Sequence, residues 1–274
     1  MTELQKEKYE SLLAYLRGFD SLAVAFSGGV DSTFLLRAAK EALGERVCAL
    51  TAVSDFFPQR EKREAEEFCE KEGVRHVLCP VKELELPGVA ENPPNRCYLC
   101  KRALFEQFLE KAAELGIGTV AEGSNLDDLG DYRPGLTAIA ELQIESPLRS
   151  CGFTKEDIRS VSEWLGLSTA DKPSYACLAS RFVYGERLTR EGLLRVDAAE
   201  QFLLELGFRQ MRVRAHGSMA RIEVPPEKIC VLAESQTREK IVKKFSELGF
   251  SYVTLDLTGF RSGSMNEVLP QMDK

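Results

Sequence analysis

The sequence predicts an α/β protein: a doubly wound parallel sheet followed by a smaller C-terminal α/β domain. Three observations carry this prediction. First, Ser21-Leu22-Ala23-Val24-Ala25-Phe26 is an apolar run of strand length. It enters the pair Gly28-Gly29, and Phe34, Leu35, Leu36, Ala38 and Ala39 then follow at helical spacing, so the chain reads strand, tight loop, helix. Second, residues 46–53 are almost continuously apolar, as in a strand covered on both faces of a parallel sheet. Third, strand-like and helix-like stretches alternate, which calls for right-handed crossovers.

The elements follow in order. Residues 3–18 carry Tyr9, Leu12, Leu13 and Leu16 at helical spacing and form an amphipathic lead helix. Residues 59–72 are charged and helical, 74–79 a third strand, 101–116 a helix stopped at Gly116, and 119–122 a fourth strand. Residues 145–149 are expected to end a fifth strand. Thr154 caps a helix that turns Trp164 and Leu165 toward the core. The composition changes near Arg181: between 181 and 221 there are eight arginines against five acids. Residues 190–206 read as helix. Two strands, 210–215 and 219–224, are joined by His216-Gly217-Ser218. Pro225-Pro226 opens a helical stretch, and 252–257 is a last strand. We therefore divide the chain into a nucleotide domain, residues 1–180, and a substrate-binding or oligomerisation domain, residues 181–274. From Gly263 onward the sequence reads as a loosely held tail.

At 274 residues the chain is long enough for two modest cores. Its net charge of −7 argues against general nucleic-acid affinity, while allowing a local basic groove. No run approaches the ~20 apolar residues of a membrane span, and the charged start Met1-Thr2-Glu3-Leu4-Gln5-Lys6 lacks a signal-peptide apolar region. A cytoplasmic location is expected. In that compartment eight cysteines do not suggest a disulfide framework. Cys48, Cys69, Cys79 and Cys230 read as buried small hydrophobes, and Cys151 stays open.

The chemistry begins at Ser27-Gly28-Gly29-Val30-Asp31-Ser32. Adjacent glycines let backbone N–H groups converge, and the helix N-terminus adds partial positive charge, so an anion is expected there. The Gly-x4-Gly-Lys-Ser/Thr pattern of GTPases and kinases is absent. The stretch resembles the pyrophosphate loop of the ATP pyrophosphatases, which cleave ATP between the α and β phosphates. That resemblance implies that Ser27, Gly28, Gly29, Asp31 and Ser32 hold the leaving pyrophosphate and its magnesium. After strand four, Gly123, Asn125 and Asp128 sit on a strand-end loop whose acidic and amide groups suit magnesium and nucleotide contacts. Tyr132-Arg133-Pro134-Gly135 follows. A plain Asx turn is the alternative for that loop.

Cys97 and Cys100 form a Cys-x-x-Cys placed, on this reading, just before a helix. Pro93 and Pro94 stiffen the approach, and a helix N-terminus favours thiolate. Cys177 lies in a short proline-entered loop beside Arg181, which also favours thiolate. A zinc site would want a fourth ligand, and His76 and His216 lack ligand spacing. A redox pair would use only Cys97 and Cys100. Three thiolates can hold a [4Fe-4S] cluster with one iron open. Inert cysteines are the remaining option. Arg212 and Arg214 lie two apart on a strand and share a face. With Ser180 and Arg181 they make a cradle for a mononucleotide phosphate, or else a solvated strand face.

Taken together, the Ser-Gly-Gly-Val-Asp-Ser loop, Arg-Cys-Tyr-Leu-Cys-Lys, Ala-Cys-Leu-Ala-Ser-Arg, Arg-Val-Asp-Ala-Ala-Glu, Met-Arg-Val-Arg-Ala-His-Gly and Gly-Phe-Arg-Ser-Gly-Ser-Met-Asn resemble the LarE family. Its members are ATP-dependent sulfur transferases of nickel-pincer cofactor biosynthesis. The resemblance implies adenylation of a carboxylate of pyridinium-3,5-biscarboxylic acid mononucleotide and its conversion to a thiocarboxylate. Arg212 and Arg214 match substrate-phosphate contacts, and Glu200 matches an acid beside the reactive cysteine. By itself, Glu200 could equally be a surface acid or a salt-bridge partner. Cys177 matches the cysteine that, in one subset, gives up its sulfur and becomes dehydroalanine. Having Cys97 and Cys100 as well, the chain looks like the three-cysteine subset, in which a cluster carries the donor sulfide. The resemblance also implies a homo-oligomer. Two other readings compete: a tRNA-thiolating enzyme, which would need a broad basic surface, and a non-catalytic nucleotide sensor or cluster carrier.

Overall fold

The computed structural model describes residues 2–130, 134–173, 176–261 and 263–265. Cα packing divides it into two compact units, one of residues 1–82 and 95–175 and one of 83–94 and 176–274.

In the first unit, helix α1 (Glu3–Arg17) is started by a reciprocal capping box between Thr2 and Gln5. Strand β1 (Leu22–Ala25), helix α2 (Val30–Leu43), strand β2 (Val47–Val53), helix α3 (Gln59–Glu72) and strand β3 (Arg75–Pro80) follow. Then come helix α4 (Arg96–Glu114), strand β4 (Val120–Ala121), helix α5 (Pro134–Glu141), helix α6 (Pro147–Ser150) and helix α7 (Lys155–Trp164). The four strands are parallel in the order β3-β2-β1-β4. Successive β1 residues point to opposite faces. Leu22 and Val24 join a core with α1, α2 and α7, whereas Ala23 joins a core with Phe105, Phe108 and Ile139 of α4 and α5. Both faces are thus covered, which is why the strands read as unbroken apolar runs. The chain leaves β1 toward β2 on one side and returns after β3 to place β4 on the other. The crevice between the loops after β1 and β4 is the switch point where such sheets bind ligands.

The second unit holds helix α8 (Arg190–Glu205), strands β5 (Arg212–His216) and β6 (Met219–Glu223), helices α9 (Ile229–Ala233) and α10 (Ser235–Glu247), and strand β7 (Tyr252–Leu255). β5 and β6 form an antiparallel hairpin, and β7 lies parallel to β6. Gly217, at φ +58°, makes the tight turn. Leu193, Val196, Ala199 and Leu203 of α8, and Ile241 and Phe245 of α10, are buried.

Several expectations need correction. The fifth strand is a single bridge between Ala121 and Glu145, because Pro147 carries no N–H to continue a ladder and α6 starts there. Trp164 is 57 % exposed at the end of α7, its ring packed edge-on against Tyr9, and only Leu165 packs on the core. Cys230 is exposed. Cys97 and Cys100 lie inside the first turns of α4, which begins at Arg96. Residues 83–94 belong to the second unit: Leu188 N–H donates to Ala90 O at 2.7 Å, and Gly185 N–H to Asn92 O at 2.9 Å. Ser264 and Met265 are buried in the second unit, with Ser264 Oγ donating to Glu223 at 2.9 Å, so the chain is still anchored past Gly263. Tyr132, Arg133, Tyr175, Ser262 and the residues after Met265 lie outside the described residues.

Candidate active site

The first loop is set by sheet bonds. Phe26 N–H donates to Leu50 O at 2.8 Å, and Thr51 Oγ1 donates to Phe26 O at 2.7 Å. That spends the Thr51 proton, so the His76 ring, with Nε2 at 2.8 Å, donates to Thr51. Burial lowers the His76 pKa, in keeping with a neutral ring. Gly28 takes φ +69°, a left-handed conformation that glycine adopts without strain. Ser32 Oγ donates to Gly29 O at 3.2 Å and accepts from Ser27 N–H at 3.3 Å. Gly29 is the N-cap of α2 and offers no side chain to its first N–H groups, which leaves them for an anion.

The loop after β4 closes on the first one. Asn125 Nδ2 donates to Asp31 Oδ1 at 3.2 Å. Gly123 lies so close that a Cβ there would stand 3.1 Å from Ser32 N. Asp128 accepts from Asn125 N–H at 2.9 Å and shapes its own loop. Glu122 is buried and accepts from Ser124 and Ser146.

Two cations at this loop were not anticipated from sequence. Lys155, the first residue of α7, forms an ion pair with Asp31. Lys172 Nζ donates to Gly28 O at 2.7 Å and pairs with Glu64. Single lysines look like surface charge in a sequence. The one available signal is that Lys172 opens the Lys-Pro motif leading to Cys177. Beside the loop, the ends of β1 and β2 open into a largely apolar pocket lined by Phe26, Ser27, Val53, Phe57, Leu104 and Phe108, with roughly 600 Å³ of space, part of it open solvent. Apolar walls beside an anion loop suit a nucleoside base.

In the second unit, Cys177 is half-buried at the start of a short 3-10 turn, Leu178–Arg181. Its carbonyl accepts from Ser180 Oγ at 2.7 Å and from Arg181 at 3.1 Å. Arg181 and Glu200 are both fully buried and paired through two hydrogen bonds of 2.9 Å. Glu200 also accepts Val213 N–H at 3.0 Å. Burial alone would raise the Glu200 pKa. The Arg181 charge and hydrogen bonds, with Arg212 and the Val213 N–H, outweigh it and hold the carboxyl below its ordinary range. Arg212 and Arg214 are each only 5 % exposed, so the solvated-face reading fails. Arg214 bonds Ser180 O, Glu223 and Ser264, yet its buried Nε has no hydrogen-bond partner among the described residues. Arg212 stacks on Phe260 at 5.1 Å.

The cysteines separate by environment. Cys48, Cys69 and Cys79 are buried, and burial pushes their thiols up, Cys69 to about 12. Cys97 is exposed, and Cys100 and Cys177 are half-buried. Cys97 and Cys100 are three residues apart on α4 and share a side of the helix. The Arg96 guanidinium lies 3.7 Å from Cys97 Sγ. Among the described residues no group of three His, Cys, Asp or Glu side chains stands ready to hold a metal. No helix among them is long and apolar enough to cross a membrane.

A parallel sheet carrying a Ser-Gly-Gly-Val-Asp-Ser turn at its switch point defines the PP-loop ATP pyrophosphatase class. No family model matches the chain. It is 37 % identical over 263 residues to the pyridinium-3,5-bisthiocarboxylic acid mononucleotide synthase of Lactiplantibacillus plantarum, covering 96 % of this chain and 95 % of that one. It is also 42 % identical to the uncharacterized protein slr1717 of Synechocystis sp., covering 96 % and 98 %. A third relative, the uncharacterized protein MJ0830 of Methanocaldococcus jannaschii, is 29 % identical over 88 % of the chain and 91 % of its own length. The chain belongs to the LarE family of ATP-dependent sulfur transferases.

Proposed function

We propose that this protein spends ATP to activate a carboxylate of pyridinium-3,5-biscarboxylic acid mononucleotide and then replaces an oxygen of that carboxylate with sulfur. The observation that carries the reading is the anion loop at the switch point, in a chain aligned almost end to end with a synthase of the bisthiocarboxylic product. A free carboxylate is a poor electrophile. Its oxygen attacks the α-phosphorus, and pyrophosphate leaves into the loop of Ser27, Gly28, Gly29 and Ser32, whose N–H and hydroxyl groups meet the developing charge. A sulfur nucleophile then attacks the acyl carbon, and AMP departs with the C–O electron pair.

Asp31 is the group that would hold magnesium. One carboxylate plus substrate phosphates is a common magnesium donor set, and Asp31 stands in the first turn of the helix that leaves the loop. Magnesium would spread the charge on the leaving pyrophosphate. Asn125 orients Asp31, and Gly123 lets the two loops approach. We assign the substrate phosphate to Ser180, Arg212 and Arg214, because a buried Arg214 Nε without a partner among the described residues is a donor suited to an anion. Glu200 and Arg181 hold the backbone that carries Cys177.

Cys177 is the proposed sulfur residue. The accessible thiols of Cys97, Cys100 and Cys177 have the soft-donor chemistry for a [4Fe-4S] cluster, unlike the three buried ones. Such a cluster supplies an open iron for a donor sulfide. The protein is proposed to work in the cytoplasm as a homo-oligomer on this small molecule rather than on nucleic acid. The test is incubation of the anaerobically purified protein with ATP, magnesium and the mononucleotide. Pyrophosphate release and a product heavier by about 16 Da for each oxygen exchanged are expected. Absence of pyrophosphate release overturns the reading. Intact protein mass after turnover separates the sulfur sources: a loss of about 34 Da marks dehydroalanine at Cys177, and an unchanged mass with bound iron marks the cluster.

A further inference from the structure

We propose that Lys172 is a positioning residue of the nucleotide loop: its ammonium group grips the Gly28 carbonyl and thereby aims the Gly29 N–H at the bound pyrophosphate. This rests on the reading of the loop as a pyrophosphate site and deepens it.

The argument starts from the peptide plane. In a trans peptide the carbonyl of one residue and the N–H of the next point in opposite directions, so whatever fixes Gly28 C=O also fixes Gly29 N–H. Between two glycines this plane is poorly determined by the chain, because neither residue has a Cβ to penalise rotation. Gly28 already sits at φ +69°. An external tether is needed to select one orientation, and Lys172 Nζ supplies it at 2.7 Å.

The tether is itself held. The Lys172 side chain is only 14 % exposed, and Glu64 of α3 shares its ammonium group. The Lys172 carbonyl accepts from Arg159 of α7 at 2.9 Å, and the same guanidinium also bonds Ala170 O. The lysine is thus fixed from both ends. By contrast, the Gly29 N–H donates to Ser27 Oγ at a long 3.4 Å. That weak contact is one an incoming phosphate oxygen would displace. A cation on the far side of the peptide also polarises it and strengthens the N–H as a donor.

The experiment compares full-length wild type with Lys172→Met, Lys172→Arg and Lys172→Gln. Titration calorimetry with inorganic pyrophosphate and magnesium gives affinity. Amide exchange at Gly29 in the ligand-free protein gives the state of the peptide. Lys172→Met is expected to bind pyrophosphate about tenfold more weakly, the size of a lost charge-assisted bond. It should also exchange the Gly29 amide several-fold faster and raise KM for ATP more than it lowers kcat. Lys172→Arg, which keeps a charged donor, should restore both binding and exchange. If Lys172→Met does not fold, the same two readouts on Lys172→Gln decide, with weaker binding and faster exchange again expected. A folded Met or Gln variant with affinity within twofold of wild type overturns the proposal. Weakened affinity with unchanged Gly29 exchange also overturns it, since the lysine would then act only as a charge. Failure of the wild type to bind pyrophosphate and ATP is a different result: it removes the nucleotide reading itself, whatever the variants do.

Discussion

The buried pair of Arg181 and Glu200 offers a prediction whose size follows from the structure. Glu200→Ala leaves a fully buried guanidinium without its carboxylate, which costs about 3–5 kcal/mol. It also strands the Val213 N–H that Glu200 accepts, at about 1–3 kcal/mol more. Glu200→Gln keeps an oxygen for Val213 but turns an amide NH2 toward one Arg181 N–H, so it loses the charge interaction and one of the two hydrogen bonds to Arg181, about 3 kcal/mol together. With a urea slope of about 3 kcal/mol/M, the midpoint falls by about 1 M for Gln and further for Ala. The pair also has a pH signature. The Glu200 pKa is depressed in the folded state. The stability it adds is therefore complete above an ordinary glutamate pKa of about 4.3 and is lost as pH falls through the lower folded value. The gap between wild type and Glu200→Gln should close on acidification below about pH 4. Urea unfolding by circular dichroism between pH 7 and pH 3 measures both effects. A Glu200→Ala protein within about 1 kcal/mol of wild type, or a gap that does not vary with pH, refutes the reasoning.

Three further outcomes follow from the same geometry. Asp31→Ala should abolish pyrophosphate release, and normal release by that variant rejects the loop assignment. Gly123→Ala places a methyl group 3.1 Å from Ser32 N and should raise KM for ATP several-fold in a folded protein; an unchanged KM means the two loops do not need their close approach. Cys177→Ala should stop thiolation while leaving pyrophosphate release intact, and surviving thiolation moves the sulfur role to another residue.

The fold was legible where burial left a periodic or continuous signal. β1 and β2 are sandwiched between helices, so their runs are apolar throughout. Thr154 announced α7 because a cap is a local device, and the capping box with Asp157 is present. Long-range backbone bonds leave no such mark. The bond from Leu188 N–H to Ala90 O brings residues 83–94 to the second unit without any side-chain pattern to betray it. Trp164 fitted the apolar stripe of α7, yet it lies at the last turn, where the ring of Tyr9 covers only one of its edges. Gly28 was readable as a turn residue because its φ of +69° favours glycine, and Gly29 and Asp31 stood out by their place between a strand and a helix. The lysines did not, since nothing in a sequence distinguishes a lysine bound to a carbonyl from one in water.

Charge counting misleads in the second unit for a related reason. The segment from Arg181 to Arg221 carries an excess of arginine, but part of that charge is answered inside the fold. Glu200 meets Arg181, and Glu223, just beyond the segment, meets both Arg214 and Arg221. A broad basic surface for a polyanion therefore does not follow from the composition. What these buried arginines keep is direction. Arg214 places two donors on carboxylate and hydroxyl oxygens and a third on Ser180 O, while Nε has no hydrogen-bond partner among the described residues. On the proposed reading, a guanidinium fixed in this way would meet one small anion at one angle, and its partners are already desolvated, so little further ordering would be needed on binding. In the first unit the logic is reversed: Lys155 pairs with the Asp31 carboxylate, which on the proposed reading would otherwise repel phosphates at this loop.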